Sequence, residues 1–268
     1  MSLVATPHNV DELEKCIPFA YLAKNYQNAI RVTRRLGVRY LWIDAICILQ
    51  GQGGDFETES RLMEGYYSGA YCTIAVHCSH GGPSDGFLKP RPSAGDRART
   101  SQAFRRGKSK FYICSAIDNF SRDVEESHLS SRGWVFQERA LSVRTIYFTE
   151  TQAYFECGNG IRCETMTKPY NPRAPFLSDP SFPQGAMDCF AHAYSKYSTL
   201  GFSPGFEEDR AVAMYGLERR LLNARSIRGR YGAVDGGFLH ESLLWRRKVL
   251  DDNVLREIKL NRHPQVPS

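Results

Sequence analysis

Leu36-Gly-Val-Arg-Tyr-Leu-Trp-Ile-Asp44-Ala-Ile-Cys-Ile-Leu-Gln50 is the stretch whose reading decides the fold. Val38 to Ile43 is an apolar run with strand character; it ends at Asp44, and Ala45 to Ile48 continues it. On the N-terminal side, Ala23 to Leu36 reads as a helix. Tyr26, Ala29, Ile30, Thr33 and Leu36 fall at helical spacing, and Gly37 stands where a left-handed residue ends a helix. Further back, Asn9 and Glu12 have the spacing of a capping box for a short helix to about Cys16, closed by Pro18. On the C-terminal side, Asp55 is placed to cap a helix running to about Ser68, with Leu62, Met63, Tyr66 and Tyr67 on or near its apolar stripe. Tyr71 to Val76 then reads as a strand. Helix, strand, helix, strand is the alternation of an α/β sheet with parallel strands.

The rest of the chain adds to this frame. Ser79 to Lys110 is rich in Gly, Pro, Ser and Arg and reads as a long loop, of the kind that in a compact domain is functional or mobile. Lys110 to Ala116 is a further strand candidate. Arg144 to Phe148 and Gln152 to Cys157 alternate across a tight connection, the pattern of a hairpin. Thr165 to Pro183 is proline-rich and reads as an irregular link. Met187 to Tyr197 and Glu207 to Leu222 read as amphipathic helices, and the polar tail after Arg256 as a fraying end. The division expected is an α/β domain over residues 1–165, then a linker and a C-terminal helical region over 166–268 packed on it.

With 268 residues and 42% apolar content, the chain is long enough to bury a substantial core. A charged fraction of 24% argues against global disorder. The net charge of +6 and pI near 8.9 favour anionic small molecules but fall short of a nucleic-acid signature. No apolar run is long enough to span a bilayer, and the N-terminus lacks the pattern of a signal peptide. Most of the eight cysteines lie in apolar, strand-like surroundings, which fits free thiols in a reducing, cytoplasmic setting. No nucleic acid and no membrane are expected as partners.

Arg132-Gly-Trp-Val-Phe-Gln-Glu-Arg-Ala-Leu-Ser142 carries the chemistry. In a helix Trp134 and Glu138 share one face, so a flat ring lies one turn from a carboxylate, an arrangement suited to gripping a planar ligand. The competing reading makes Trp134 core and pairs Glu138 with Arg139 or Arg144, and from this segment alone that reading is the stronger. Asp44, at the end of its strand, sits where open α/β sheets bind ligands; a helix cap or an ion pair with Arg39 is the alternative. His77-Cys-Ser-His80 and Cys157…Cys163 lack the spacing of structural zinc sites, so no metal is expected. The glycine pairs at 81–82 and around Asn159 are turn chemistry; no Rossmann, Walker or Gly-x-Ser-x-Gly motif is present.

Taken together, the Leu36–Gln50 stretch, Glu59-Ser-Arg-Leu-Met63, Tyr66-Tyr-Ser-Gly-Ala70, Thr73-Ile-Ala75, Gly86-Phe, Arg91, Arg132–Ser142 and Tyr154-Phe-Glu-Cys157 resemble the fungal heterokaryon incompatibility (HET) domain over about Ile17 to Cys157. Asp209-Arg-Ala-Val-Ala-Met-Tyr-Gly216-Leu and Leu243-Leu-Trp245 resemble the region that commonly follows it. The resemblance implies a role in fungal non-self recognition and programmed cell death. It also implies a distant likeness to TIR domains, hence a flavodoxin-like α/β fold: a mostly parallel sheet flanked by helices, here with a β-hairpin and a C-terminal helical extension. Some TIR domains cleave the nicotinamide glycosidic bond of NAD with a glutamate four residues after a tryptophan on a helix.

That resemblance carries catalysis onto Glu138, with Asp44 orienting a hydroxyl, and ligand contacts onto Trp134, Arg132, Cys47, Gln50, Gln137 and Arg139. It makes NAD a candidate substrate, with no tightly bound cofactor. HET domains usually begin with a strand of Leu-Ser-x-x-Trp-Gly type, which this sequence does not show, and that departure bears on NAD cleavage more than on the fold. Two other expectations stand beside NAD cleavage. One is a diverged HET fold serving a fungal secondary-metabolite pathway, acting on a small organic substrate by acid–base catalysis. The other is a non-catalytic module that signals by forming homo-oligomers.

Overall fold

Gly37 closes a helix with a left-handed backbone, φ 71°, and the segment beyond it does not form the strand expected there. The computed structural model describes residues 3–78, 85–90, 102–106, 109–113, 119–164, 193–202, 209–225, 228–230 and 233–235. Helix α1 (Val10–Lys15) buries no residue. The expected capping box is not formed. Asn9 instead ties the preceding turn, accepting from the Thr6 amide at 2.8 Å and donating to the Val4 carbonyl at 3.0 Å. Helix α2 (Lys24–Arg35) spans most of the segment expected to be helical.

Residues 38–43 form no helix, turn or bend and join no sheet, with extended backbone at Ile43, so the expected strand is corrected to an unpaired segment. Asp44 does not continue it. Asp44–Cys47 winds into a single turn, α3, in which the Ile46 and Cys47 amides donate to the Ile43 carbonyl. Asp44 favours this turn because its carboxylate accepts from the next amide, Ala45, at 2.7 Å. Helix α4 (Phe56–Gly69) comes next. Asp55 precedes it without capping it, accepting from the Leu49 amide at 2.7 Å instead.

The main sheet has the order β1 (Thr73–Val76), β4 (Arg144–Phe148), β5 (Ala153–Cys157), β6 (Gly160–Cys163). Only β1 and β4 are parallel, with Thr73 opposite Thr145; β4–β5 and β5–β6 are antiparallel. The expectation of a mostly parallel sheet is therefore corrected to a mixed one. The cause lies in the connections. Two-residue and four-residue turns join only antiparallel strands, whereas a parallel pair needs a crossover. The first of these turns is tied by the Thr149 hydroxyl donating to the Gln152 carbonyl at 2.7 Å. The Arg144–Phe148 and Gln152–Cys157 hairpin is present as expected. Part of the expected Ser79–Lys110 loop is regular: β2 (Gln102–Arg106) pairs antiparallel with β3 (Ser109–Ile113). A last hairpin joins β7 (Arg228–Arg230) to β8 (Ala233–Asp235).

Two cores result. On the sheet, the alternating burial of β4 to β6 turns Tyr147, Tyr154, Ile161 and Cys163 against Phe120 and Val124. The second core joins helix α5 (Gly133–Leu141), the helical residues 193–197 and helix α6 (Asp209–Arg225) around Phe136, Leu141, Tyr197, Met214 and Leu217. Each fully buried side chain of this kind contributes about 2 kcal/mol. Gly216 lets α6 approach closely, since a Cβ there would stand 2.9 Å from Glu64 Cβ. The helix expected over Glu207–Leu222 is present from Asp209 to Arg225 and packs on α4 and α5. Most of the Met187–Tyr197 helix, the proline-rich link and the tail lie outside the described residues. Among the described residues no helix is long and apolar enough to cross a membrane.

Candidate functional site

Helix α2, residues 38–43, helix α4, strand β1 and the first turn of α5 enclose a cavity of about 970 Å³. Its walls are largely aromatic and aliphatic. The stripe of α2 formed by Tyr26, Ala29 and Thr33, continued by Leu36 just past its end, faces into it, as do Ile74 and Val76 of β1. At one end stand Asp44, Tyr67, Trp134, Glu138 and Arg132. Trp134 and Glu138 both line the cavity, as one turn of helix requires.

Trp134 is fixed on two sides. Its indole N–H donates to Asp209 Oδ2 of α6 at 3.1 Å, and Phe56 packs edge-on at 5.9 Å between ring centroids. Trp42 lies 5.3 Å from Tyr66 and 5.7 Å from Tyr67, and Tyr66 donates to Glu59 at 2.6 Å. Phe202 is delivered to the cavity by residues 200–202, which dock on the start of α5: Gly133 N–H donates to the Gly201 carbonyl and Gly201 N–H to that of Ser131, both at 2.9 Å. Gly133 must be glycine here, because a Cβ would fall on the Phe202 ring.

The electrostatics single out Glu138. It lies deep among protein atoms, and the part-exposed surface it keeps belongs to the cavity it lines. Burial first, and then the Asp44 charge, push its pKa up from 4.5 to about 7; hydrogen bonding from Tyr67 and the charge of Arg132 act in the opposite direction but do not prevail. Burial likewise holds the Tyr67 phenol well above its usual range, with Glu138 and Asp44 adding to it, so Tyr67 remains a donor. Neither cation set against Glu138 in the competing reading reaches it. Arg139 forms a two-pronged contact to Glu156, both bonds 3.1 Å, and Arg144 donates to the Tyr71 carbonyl at 3.3 Å. Arg39 is not paired with Asp44; it lies over the Tyr40 ring.

This combination on one helix, Trp134 and Glu138 facing a hollow, meets an independent finding. A family model described as "Heterokaryon incompatibility protein (HET)" matches residues 6–138. The chain belongs to the HET family. Comparisons with curated proteins and with solved structures found no match.

Within this HET chain the match runs from the start of the fold to the carboxylate on α5. Of the residues expected at the site, Asp44, Gln50, Arg132, Trp134 and Glu138 line the cavity. Cys47, Gln137 and Arg139 do not. Cys47 is exposed on α3. Gln137 is buried and turned toward Gly216 of α6. Arg139 is spent on the Glu156 carboxylate beneath the sheet. Sequence spacing assigns Tyr67 only to an apolar stripe, yet it couples to both carboxylates. Its position four residues after Met63, itself buried, marks the face but not the hydroxyl's partner.

Proposed function

We propose that this HET protein is an enzyme of heterokaryon incompatibility and cell-death signalling that cleaves the nicotinamide–ribose bond of NAD in the α2–β1–α5 cavity. The observation that carries the reading is the Glu138 carboxylate, in contact with no cation among the described residues, beside Trp134 in an aromatic-walled hollow. Cationic nicotinamide is drawn to a carboxylate flanked by aromatic faces. When the bond between ribose C1′ and the ring nitrogen breaks, the electron pair stays on that nitrogen and the ring leaves neutral. Positive charge then develops on the sugar, and ionised Glu138 stabilises it. Water adds at C1′ and gives its proton to Glu138, so the products are nicotinamide, ADP-ribose and a proton. Asp44 orients a ribose hydroxyl and Arg132 meets a phosphate.

The elevated pKa of Glu138 supports a second reading, acid–base catalysis on a small organic substrate, because a carboxyl titrating near 7 is poised to donate a proton. The pH dependence separates the two. NAD cleavage needs the ionised form, so nicotinamide release by purified protein rises as pH passes about 7. Proton donation predicts the opposite limb. NAD left intact at high protein concentration across pH 6–9 removes the first reading.

A further inference from the structure

The cavity has backbone in its walls that NAD cleavage does not use. Two of its walls are backbone outside the helices. On one side is β1, which pairs with β4 along one edge and with no described strand along the other. On the other side are residues 38–43. Among the described residues, the backbone of Arg39 to Trp42 hydrogen-bonds to no other backbone group. Backbone N–H and C=O groups left unpaired beside an apolar surface act as a template for another strand. The floor agrees. The apolar stripe of α2 faces the cavity where such a helix ordinarily packs on a sheet.

We infer that the cavity is a strand slot, filled in trans by an extended peptide segment of a partner protein that bonds β1 on one edge and residues 38–43 on the other. Only polypeptide offers donors and acceptors on both edges at the strand repeat. A strand as long as β1, with four residues at ~3.3 Å rise, ~4.8 Å strand spacing and ~10 Å layer spacing, takes up roughly 630 Å³. The cavity holds that and leaves about a third of its volume at the carboxylate end. The charge of that end specifies the partner further. Among the described lining residues Asp44, Glu138 and Asp209 stand against a single basic side chain, Arg132, so the inserted segment carries a lysine or arginine where it passes Asp44. This slot is a binding function beyond NAD cleavage and does not rest on it.

The test is amide hydrogen exchange of the full chain with and without the probe peptide acetyl-Thr-Val-Ile-Val-Lys-amide. The expected result is saturable slowing of exchange, at least about tenfold, at amides of both Arg39–Ile43 and Thr73–Val76, with a change in Trp42 fluorescence. The same peptide N-methylated at alternate amides removes the edge donors and gives no slowing. Three results overturn the inference: no slowing at millimolar peptide, equal slowing by the N-methylated peptide, or Arg39–Ile43 amides already protected in the free protein. The slowing is read on the wild-type chain and does not depend on whether that chain cleaves NAD, which keeps the two proposals separable.

Discussion

Glu138 and Arg139 are consecutive residues of one helix, and α5 treats their charges in opposite ways. On its sheet-facing side Arg139 lies among Glu156, Glu125 and Tyr147, with the Phe120 ring 5.2 Å away. Burial opposes its charge, but Tyr147, Glu156 and Glu125 outweigh that and hold it firmly protonated. On the cavity side Glu138 has a second carboxylate for a neighbour and no comparable cation, and its proton affinity rises. A buried charge that is fully paired serves the fold. One left uncompensated against a like charge is costly to the fold and available for chemistry.

Substitutions on the two faces should therefore separate activity from stability. The largest effect is expected for Glu138→Gln, which keeps shape and loses charge: nicotinamide release falls at least ~100-fold while the protein stays folded by circular dichroism. Next, Arg139→Gln leaves Glu156 buried without its cation and lowers unfolding free energy by ~3 kcal/mol in urea titration. A loss of activity in Arg139→Gln at unchanged stability would reverse the assignment of the two faces.

Glu138→Gln also sharpens the contrast through pH. Below 4.5 Glu138 is protonated in both folded and unfolded chains and the substitution is nearly neutral. Between 4.5 and about 7 the unfolded chain releases a proton that the folded one retains, so the wild type loses stability as pH rises, and the full penalty is present above 7. The variant is accordingly ~2 kcal/mol more stable than wild type at pH 8 and equal to it at pH 4. A smaller effect is expected at the cavity rim. Tyr67→Phe removes a donor to the Glu138 carboxylate, so the pH midpoint of activity moves upward by a fraction of a unit.

Much of this is legible in the sequence because it depends on periods. The i, i+4 relation places Trp134 and Glu138 together, and Gly37, the α4 stripe and the β4–β5 alternation define three elements. The same period separates Arg139, roughly 140° around the helix from Trp134, from the cavity face. The illegible part depends on partners distant in sequence. Residues 38–43 have the composition of a strand, but a strand exists only if another backbone pairs with it, and none of the described ones does. Asp44 has the position of a strand end and is instead the start of a helical turn, because its carboxylate competes locally for the Ala45 amide. Strand β2 is hidden in a Gly, Pro and Ser background, whereas β3 overlaps the strand expected from Lys110. Tyr67 has the spacing of a core residue, and only the fold brings its hydroxyl to two carboxylates.

The central claim is that Glu138 titrates near neutrality because burial and Asp44 oppose its charge. Carbon-13 NMR titration of the Glu138 carboxyl, in the wild type and in Asp44→Asn, tests it most directly. The account predicts a midpoint at about 7 in the wild type and a lower one in Asp44→Asn. A wild-type midpoint near 4.5, unmoved by the Asp44 substitution, would contradict it.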